Sequence, residues 1–348
     1  MRITLVAPWL ARFNPRWFEQ SDALCPTPAL DRWLRFSQVE SSAVDGALST
    51  LPLRFFGVDT SPDEDAPYGA LSYLGDGGRD VDGSWVRVDP VHLRPDMARL
   101  LLFAAPDFEI STAHSQALGR IVREALADWG ELDLRHPERW YLRLAERPSV
   151  ATTPLPAIVG EDVQNTLPAG AQGALWRARL NEIQMQLFDS PTNQEREQLG
   201  LSTINGVWLW GVGELPPMSA TAYQSLYSRS PVVRGLGLRS GIAWVAASAS
   251  AIDWSQPDLS PGSHLVWLDP PNPRMVGDPA AWENWRGNLE QAWAIPLVSG
   301  VERGRIERIT LHPGDGTARS LTKRSLRRFW RTSKPLPRHI TSRQGESR

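Results

Sequence analysis

Residues Trp176–Gly213 read WRARLNEIQMQLFDSPTNQEREQLGLSTINGVWLWGVG, and this stretch decides the kind of fold the chain can adopt. Trp176, Leu180, Ile183 and Leu187 recur at helical spacing, so its first half reads as an amphipathic helix. Pro191 is placed to end that helix, because proline lacks the N–H that another turn would donate. Val207-Trp-Leu-Trp210 then reads as a buried strand, stopped by Gly211, Gly213 and the Pro216-Pro217 pair. A helix that feeds a buried strand belongs to mixed α/β architecture. Asn193, Arg196 and Asn205 lie between the two elements, and amides with a guanidinium beside a strand end make an anion-binding rim. The competing reading is a tight Asn205-Gly206 turn and an Arg196 ion pair with Glu195 or Glu197.

Toward the N-terminus, residues 2–10 read as a strand broken at Pro8, and Pro28–Phe36 as a short helix burying Leu30, Trp33 and Leu34. Residues 57–83 are turn-rich. Trp85–Val88 alternates as a strand and delivers Asp89 and His92 at its end, where α/β proteins place functional groups. A carboxylate and an imidazole three residues apart suit metal binding or proton transfer; a loop aspartate and a hydrogen-bonded histidine are the plainer alternative. Leu118, Ile121, Val122, Ala125, Leu126 and Trp129 set a helix over 114–129, and Arg139–Leu144 alternates again. The proline- and alanine-rich run 148–173 reads as a connector.

Toward the C-terminus, residues 232–245 mix strand and helix composition, and Ser263–Leu268 is a strand ending at Asp269. Asp278-Pro279 opens a helix with a capping carboxylate and proline in its first turn. Its stripe is Trp282, Trp285, Leu289 and Trp293. Residues 305–311 form a last strand. The basic segment Arg319–Arg331 reads as a solvated terminal helix with one face docked, and residues 333–348 as a disordered tail.

Composition narrows the function classes. A net charge of −2 over 348 residues gives no electrostatic case for nucleic acid. The single cysteine, Cys25, rules out an intramolecular disulfide and a cysteine-rich zinc site. No apolar run approaches the ~18 residues of a membrane span, and the chain opens on a strand rather than a leader. A soluble, cytoplasmic protein without membrane partners is expected. Gly-x-Ser-x-Gly, phosphate-loop and His-Glu-x-x-His motifs are absent, and the aspartates of GDGGRDVDG (75–83) miss the calcium-loop spacing. No cofactor and no metal are expected.

The central stretch resembles the archaeal-type, metal-dependent, cofactor-independent phosphoglycerate mutases of the alkaline phosphatase superfamily. Those proteins carry an asparagine-to-arginine-to-glycine run, then an asparagine ahead of Trp-x-Trp-Gly-x-Gly. Here the run is Asn193, Arg196, Gly200, Asn205, Trp208, Trp210, Gly211 and Gly213. Pro231-Val-Val-Arg234-Gly-Leu-Gly237 followed by Gly241 is similar to the next block. Thr27-Pro-Ala-Leu-Asp31 and Ala70–Gly75 match earlier pieces more weakly. The resemblance implies an α/β fold: an alkaline-phosphatase-like sheet sandwiched by helices, with a smaller inserted α+β lobe. The core is expected from residues 1–84 and 181–332, and the lobe with its connector from 85–180. The chain also resembles bacterial regulatory proteins of the RpfE type, through Asp89-Pro-Val-His-Leu93, Asn181-Glu-Ile-Gln-Met185 and Val207-Trp-Leu-Trp-Gly211. That resemblance implies a regulator of extracellular enzyme or virulence-factor production.

The mutase resemblance breaks at the chemistry. The family's first strand ends in a metal-binding aspartate, but here it ends Val6-Ala-Pro-Trp9. The family's nucleophilic serine precedes the segment matched by Ala70, where this chain has Pro67-Tyr-Gly69. The late Asp-x-x-x-His pair is replaced by Asp269-Pro-Pro-Asn-Pro-Arg-Met275. Two-metal phosphoryl transfer needs several such ligands together. The expected protein is therefore a catalytically silent relative that regulates by binding a small phosphorylated or carboxylated ligand, and a protein partner. Its ligand residues are expected to be Asn193, Arg196, Asn205, Arg234, Asp89 and His92. An active phosphomutase or phosphatase with a rearranged site is the alternative.

Overall fold

The computed structural model describes residues 1–18, 25–42, 48–59, 65–97, 99–245, 261–269, 278–328, 330–332 and 334–343. The chain divides into two units, one from Met1–Val58 and Met218–Arg348, the other from Asp59–Pro217. The first unit opens with β1 (Arg2–Val6), α1 (Pro28–Phe36), β2 (Gln38–Ser41) and α2 (Leu51–Phe55). The second unit follows with α3 (Tyr68–Gly75), β3 (Trp85–Asp96), β4 (Arg99–Phe103), α4 (Thr112–Ala125), β5 (Gly130–His136), β6 (Arg139–Leu144), α5 (Gly173–Phe188), α6 (Pro191–Gln198) and β7 (Gly206–Gly213). The chain then returns to the first unit with β8 (Ser225–Tyr227), α7 (Pro231–Arg239), β9 (Ala243–Val245), β10 (Ser263–Trp267), α8 (Pro279–Leu289), α9 (Ile295–Glu302), β11 (Arg308–His312) and β12 (Thr317–Thr322).

The first unit holds a seven-stranded sheet in the order β2-β12-β11-β1-β10-β8-β9. β1 runs parallel to β10 and β11 on either side, while β12 and β2 turn antiparallel at one edge. A strand buried on both faces must be apolar on both, and the central strands meet that demand. Ile3 and Leu5 join Trp33, Trp282, Leu297 and Leu311 on one face, whereas Val6 joins Leu226, Val233 and Leu265 on the other. The helix at Asp278-Pro279 forms as its sequence dictates, with the Asp278 carboxylate accepting from the N–H groups of Ala280 and Ala281. A π turn over Glu290–Ala294 joins it to α9. That turn aims the buried Glu290 carboxylate at the N-terminus of α1, where the Ala29 and Leu30 amides each donate at 2.8 Å. This is a mixed α/β fold with a central sheet flanked by helices, as the sequence predicts.

The second unit is a sheet in the order β4-β3-β6-β5, with β7 also paired to β3. α4 and α5 cover one face through Leu118, Val122, Trp176, Ile183 and Leu187. Ala70 and Tyr73 of α3 pack with Trp85 and Tyr141 in a separate cluster.

Four expectations change. The inserted lobe is wider than 85–180, because antiparallel pairing of β7 with β3 holds Gly206–Gly213 in the second unit. Pro191 starts a helix rather than ending one: α5 stops at Phe188, and Ser190 caps α6 with proline in its first turn. The basic segment is no terminal helix, since Arg319 lies in β12 and a 3-10 turn follows at Ser325–Arg327. Residues 334–343 of the expected tail are packed, with Leu336 and Ile340 in the cluster of Trp33, while 344–348 lie outside the described residues. Among the described residues no helix is long and apolar enough to cross a membrane.

Gly211 carries the close approach of β7 to α3. Its φ is +72°, and a Cβ there would lie 2.6 Å from that of Tyr68. Gly211→Ala is expected to lower unfolding stability by about 1–3 kcal/mol in a denaturant titration; a wild-type midpoint would show that α3 can yield.

Candidate functional site

The second unit takes five of the expected ligand residues and uses their polar atoms as internal ties. β3 does not end at Val88 but runs on through Pro90, which places Asp89 mid-strand opposite Trp208. There it is 1% exposed and pairs with Arg87, at 3.2 Å from Nε and 2.5 Å from the terminal nitrogen. The Trp210 indole N–H donates to its other oxygen. His92 lies three residues further on, so the alternation of a strand sends it to the opposite face. Its Nδ1 is 2.8 Å from the Thr203 carbonyl, which can only accept, so that nitrogen carries the proton. The strand thus separates the two groups that the sequence placed together.

Asn193 is 2% exposed and sits between two chain segments. Its Nδ2 donates to the carbonyls of Leu187 (2.7 Å) and Ile204 (3.0 Å), while its Oδ1 accepts from the Ile204 N–H at 2.8 Å. Asn205 grips one residue of β3, accepting from the Leu93 N–H at 2.7 Å and donating to its carbonyl at 2.8 Å. It thereby imitates the next rung of the β7–β3 ladder. Arg196 donates to the carbonyls of Ser202 (2.8 Å) and Glu109 (2.9 Å), and a third nitrogen lies 3.2 Å from His114 Nδ1. Burial holds its pKa below the usual guanidinium value. Neither Glu195 nor Glu197 pairs with it; His114 Nε2 instead approaches Glu195 at 3.7 Å. Beside these ties an open groove of about 470 Å³ is lined by Asn181, Gln184, Met185, Phe188, Asp189 and Asn205.

Arg234 belongs to the first unit, on α7, with its guanidinium 4.9 Å from the centre of the Trp244 ring. The carboxyl ends of β8 and β10 bring further polar groups to this part of the unit, which is where open α/β sheets bind ligands. Asp269, just past β10, accepts from the Ser228 hydroxyl at 3.5 Å and from the Ser230 backbone. Its burial pushes the carboxyl pKa up to about 7, against the lowering pull of those donors and of Arg234 and Arg229. At the end of β11, His312 Nδ1 lies 2.7 Å from the Ser42 hydroxyl, and burial brings its pKa down to about 4. The sequence marks Asp269 as a strand end and as the start of the block that replaces the resembled Asp-x-x-x-His pair, and it carries no motif around His312.

β1 ends differently. Ala7, Pro8, Trp9 and Leu10 are all buried and turn into a 3-10 helix over Pro8–Ala11. Among the described residues, this edge does not present the ligand set that two-metal chemistry needs. Burial raises the pKa of one carboxyl group to about 7, one histidine faces a serine, and the first strand ends in apolar side chains. Among the described residues no group of three or more His, Cys, Asp or Glu could hold a metal ion. The Asp269–Met275 block lies outside the described residues beyond Asp269. At the position expected for a nucleophilic serine, Tyr68 is buried with its ring 5.4 Å from that of Trp210, and burial raises its pKa.

No protein-family model matches the chain. Over 97 residues it is 29% identical to the 2,3-bisphosphoglycerate-independent phosphoglycerate mutase of Methanosarcina mazei, a match covering 26% of this chain and 24% of that one. The Methanosarcina barkeri enzyme of the same name is 27% identical over the same length and shares. The chain thus matches only about a quarter of the length of these curated relatives. Among solved structures, a Pyrococcus horikoshii protein superposes with a TM-score of 0.51 at 13% identity, over 92% of this chain and 86% of that one. The cofactor-independent phosphoglycerate mutase of Thermoplasma acidophilum gives 0.44 at 14% identity, over 100% and 94%. The chain is distantly similar to archaeal cofactor-independent phosphoglycerate mutases.

Two measurements test this geometry. Asn193→Ala strands two carbonyls and an amide in the interior, and is expected to cost about 2–4 kcal/mol in a denaturant titration; an unchanged midpoint would mean the amide is spare for a ligand. Asp269 holds a proton that the unfolded chain releases near pH 3.8, so its contribution to stability falls as pH rises toward about 7. His312 has the opposite slope, because the unfolded chain takes up a proton near pH 6.5 that the folded state refuses until about 4. The stability of Asp269→Asn relative to wild type should therefore increase across pH 4–7. A pH-independent difference would show that the carboxyl group is ionised in the fold.

Proposed function

We propose that this protein is a phosphoglycerate-mutase-like regulator that no longer performs two-metal phosphoryl transfer. In this reading it works by binding a small phosphorylated or carboxylated ligand. The observation that carries it is the closure of the β1 carboxyl end by the buried Ala7–Leu10 turn, where the resembled mutases present a metal-binding aspartate. A carboxylate there would be buried among apolar side chains without a partner, at a cost no marginally stable domain absorbs. Ligand binding is assigned to the first unit, with Arg234 supplying charge and Asp269, as the acid, a hydrogen-bond donor to an anionic oxygen. Asn193, Arg196, Asn205, Asp89 and His92 are assigned to holding the second unit together. A protein partner, a cytoplasmic setting and a link to extracellular enzyme or virulence-factor production belong to this reading through the resemblance to RpfE-type regulators.

The relatives of known name are enzymes, and that similarity favours a second reading, an active metal-dependent phosphomutase or phosphatase. Purified full-length protein assayed with manganese, magnesium or zinc on 2- and 3-phosphoglycerate and a phosphoester panel is expected to show no turnover above background. 2- and 3-phosphoglycerate in a thermal-shift series should raise the melting temperature of wild type by more than that of Arg234→Gln. Metal-dependent turnover would replace the regulatory reading with the enzymatic one.

A further inference from the structure

Arg319 stands in β12 directly across from Val39 of β2 and Leu311 of β11, and its neighbour Leu321 on the same face joins the Trp33 cluster. The side chain therefore points toward α1 and the packed C-terminal segment. The residue is 6% exposed, its guanidinium makes no hydrogen bond or ion pair with the described residues, and its Nε is wholly buried while the terminal nitrogens keep contact with solvent. A guanidinium this far withdrawn from water is ordinarily matched by a carboxylate, a carbonyl or a bound anion.

Apart from the attraction of Asp315, which does not pair with it, the surroundings supply further cations. Residues 316–343 contain nine arginines and lysines and no aspartate or glutamate. Asp315, in the turn before β12, is committed elsewhere: one oxygen accepts from the N–H and hydroxyl of Thr317 at 3.0 and 2.6 Å, the other from the Thr341 N–H at 3.1 Å. Glu40 lies opposite Ala318 and so projects from the other face of the sheet. The C-terminal segment is pinned on both sides of Arg319. Arg331 donates to the carbonyls of Arg35 and Ser37 at 3.2 and 2.6 Å, beside the start of β2, and Thr341 is anchored on Asp315. Between these anchors lie Lys334, which is exposed, and His339, whose Nε2 is buried without a partner. Burial and then the nearby Arg319 and Lys334 charges lower the His339 pKa, consistent with cations gathered around one point.

We propose that Arg319, with Lys334, Arg331 and His339, forms a binding site for a phosphate monoester dianion where the C-terminal segment meets β12. The planar donors of Arg319 match two phosphoryl oxygens, while Lys334 at the rim adds charge and His339 a third contact. This site is independent of the ligand reading at Arg234 and Asp269. It explains why the C-terminal segment folds back over the sheet although its charges repel: a bound dianion neutralises the cations that the fold draws together.

The test uses full-length protein and inorganic phosphate at constant ionic strength, with chloride as the balancing salt and melting temperature as the readout. Wild type should show a saturable rise. Arg319→Gln should abolish it while melting no lower than wild type without phosphate, because it removes an unmatched charge. Lys334→Gln, an exposed position that leaves the fold intact, should weaken the apparent affinity about tenfold. Arg234→Gln should keep the part of the response that Arg319→Gln removes. Glycerol 3-phosphate and vesicles of phosphatidylcholine with phosphatidic acid separate a soluble ester from a lipid headgroup, and both present the same dianion. A non-saturating rise shared by all variants, a response that follows Arg234 instead of Arg319, or no response to any of the three probes would overturn the proposal.

Discussion

The Ala7 N–H donates to the His312 carbonyl at 2.9 Å, and the Ala11 N–H to the Pro313 carbonyl at 3.1 Å. These two bonds carry the β1–β11 pairing past the ends of both strands and fold the chain into a buried apolar turn. Much else in the first unit follows from that closure. Trp9 and Leu10 are committed to the core, and the Trp9 carbonyl accepts from the Trp282 indole at 3.1 Å, which ties the turn to α8. A strand end stitched in this way has neither a charged side chain to offer nor free backbone to rearrange. The polar groups that remain on the edge, Asp269 and His312, are each held by serine hydroxyls, and burial favours the neutral form of both.

The second unit shows what happens to polar residues when an interior must be satisfied. Every buried donor or acceptor needs a partner, so a side chain that reaches an unpaired backbone group becomes part of the scaffold. Asn193 and Asn205 complete strands and turns that lack a backbone neighbour, and Arg196 gathers carbonyls from two loops. The same residue types in the same order serve equally well to cradle an anion. What separates the two uses is whether the atoms are already engaged. Arg319 illustrates the converse: it is buried, like Asn193 and Arg196, but makes no hydrogen bond through its guanidinium, and it drew no attention in the sequence beyond being one basic residue among many.

Sequence pattern by itself determined the elements with strong periodicity. The α4 stripe of Leu118 and Val122, the Asp278-Pro279 helix start and the strands at 2–6, 139–144 and 263–267 were all legible, because local burial demands repeat at 3.6 or 2 residues. The mixed α/β class was legible for the same reason. Elements fixed by pairing were not. β12 is rich in polar residues and reads as part of a helix until β11 and β2 flank it, and β3 outruns Val88 because β7 and β4 supply partners for its remaining length.

Tertiary structure alone decided the fate of each candidate side chain. Asp89 and His92 are neighbours in a motif but leave the strand on opposite faces. The amides near residue 200 are absorbed by backbone groups of Leu187, Ile204 and Leu93. A sequence specifies which donors and acceptors exist. Only the folded chain brings them within 3 Å of one another, and hydrogen bonds and desolvation act at that range.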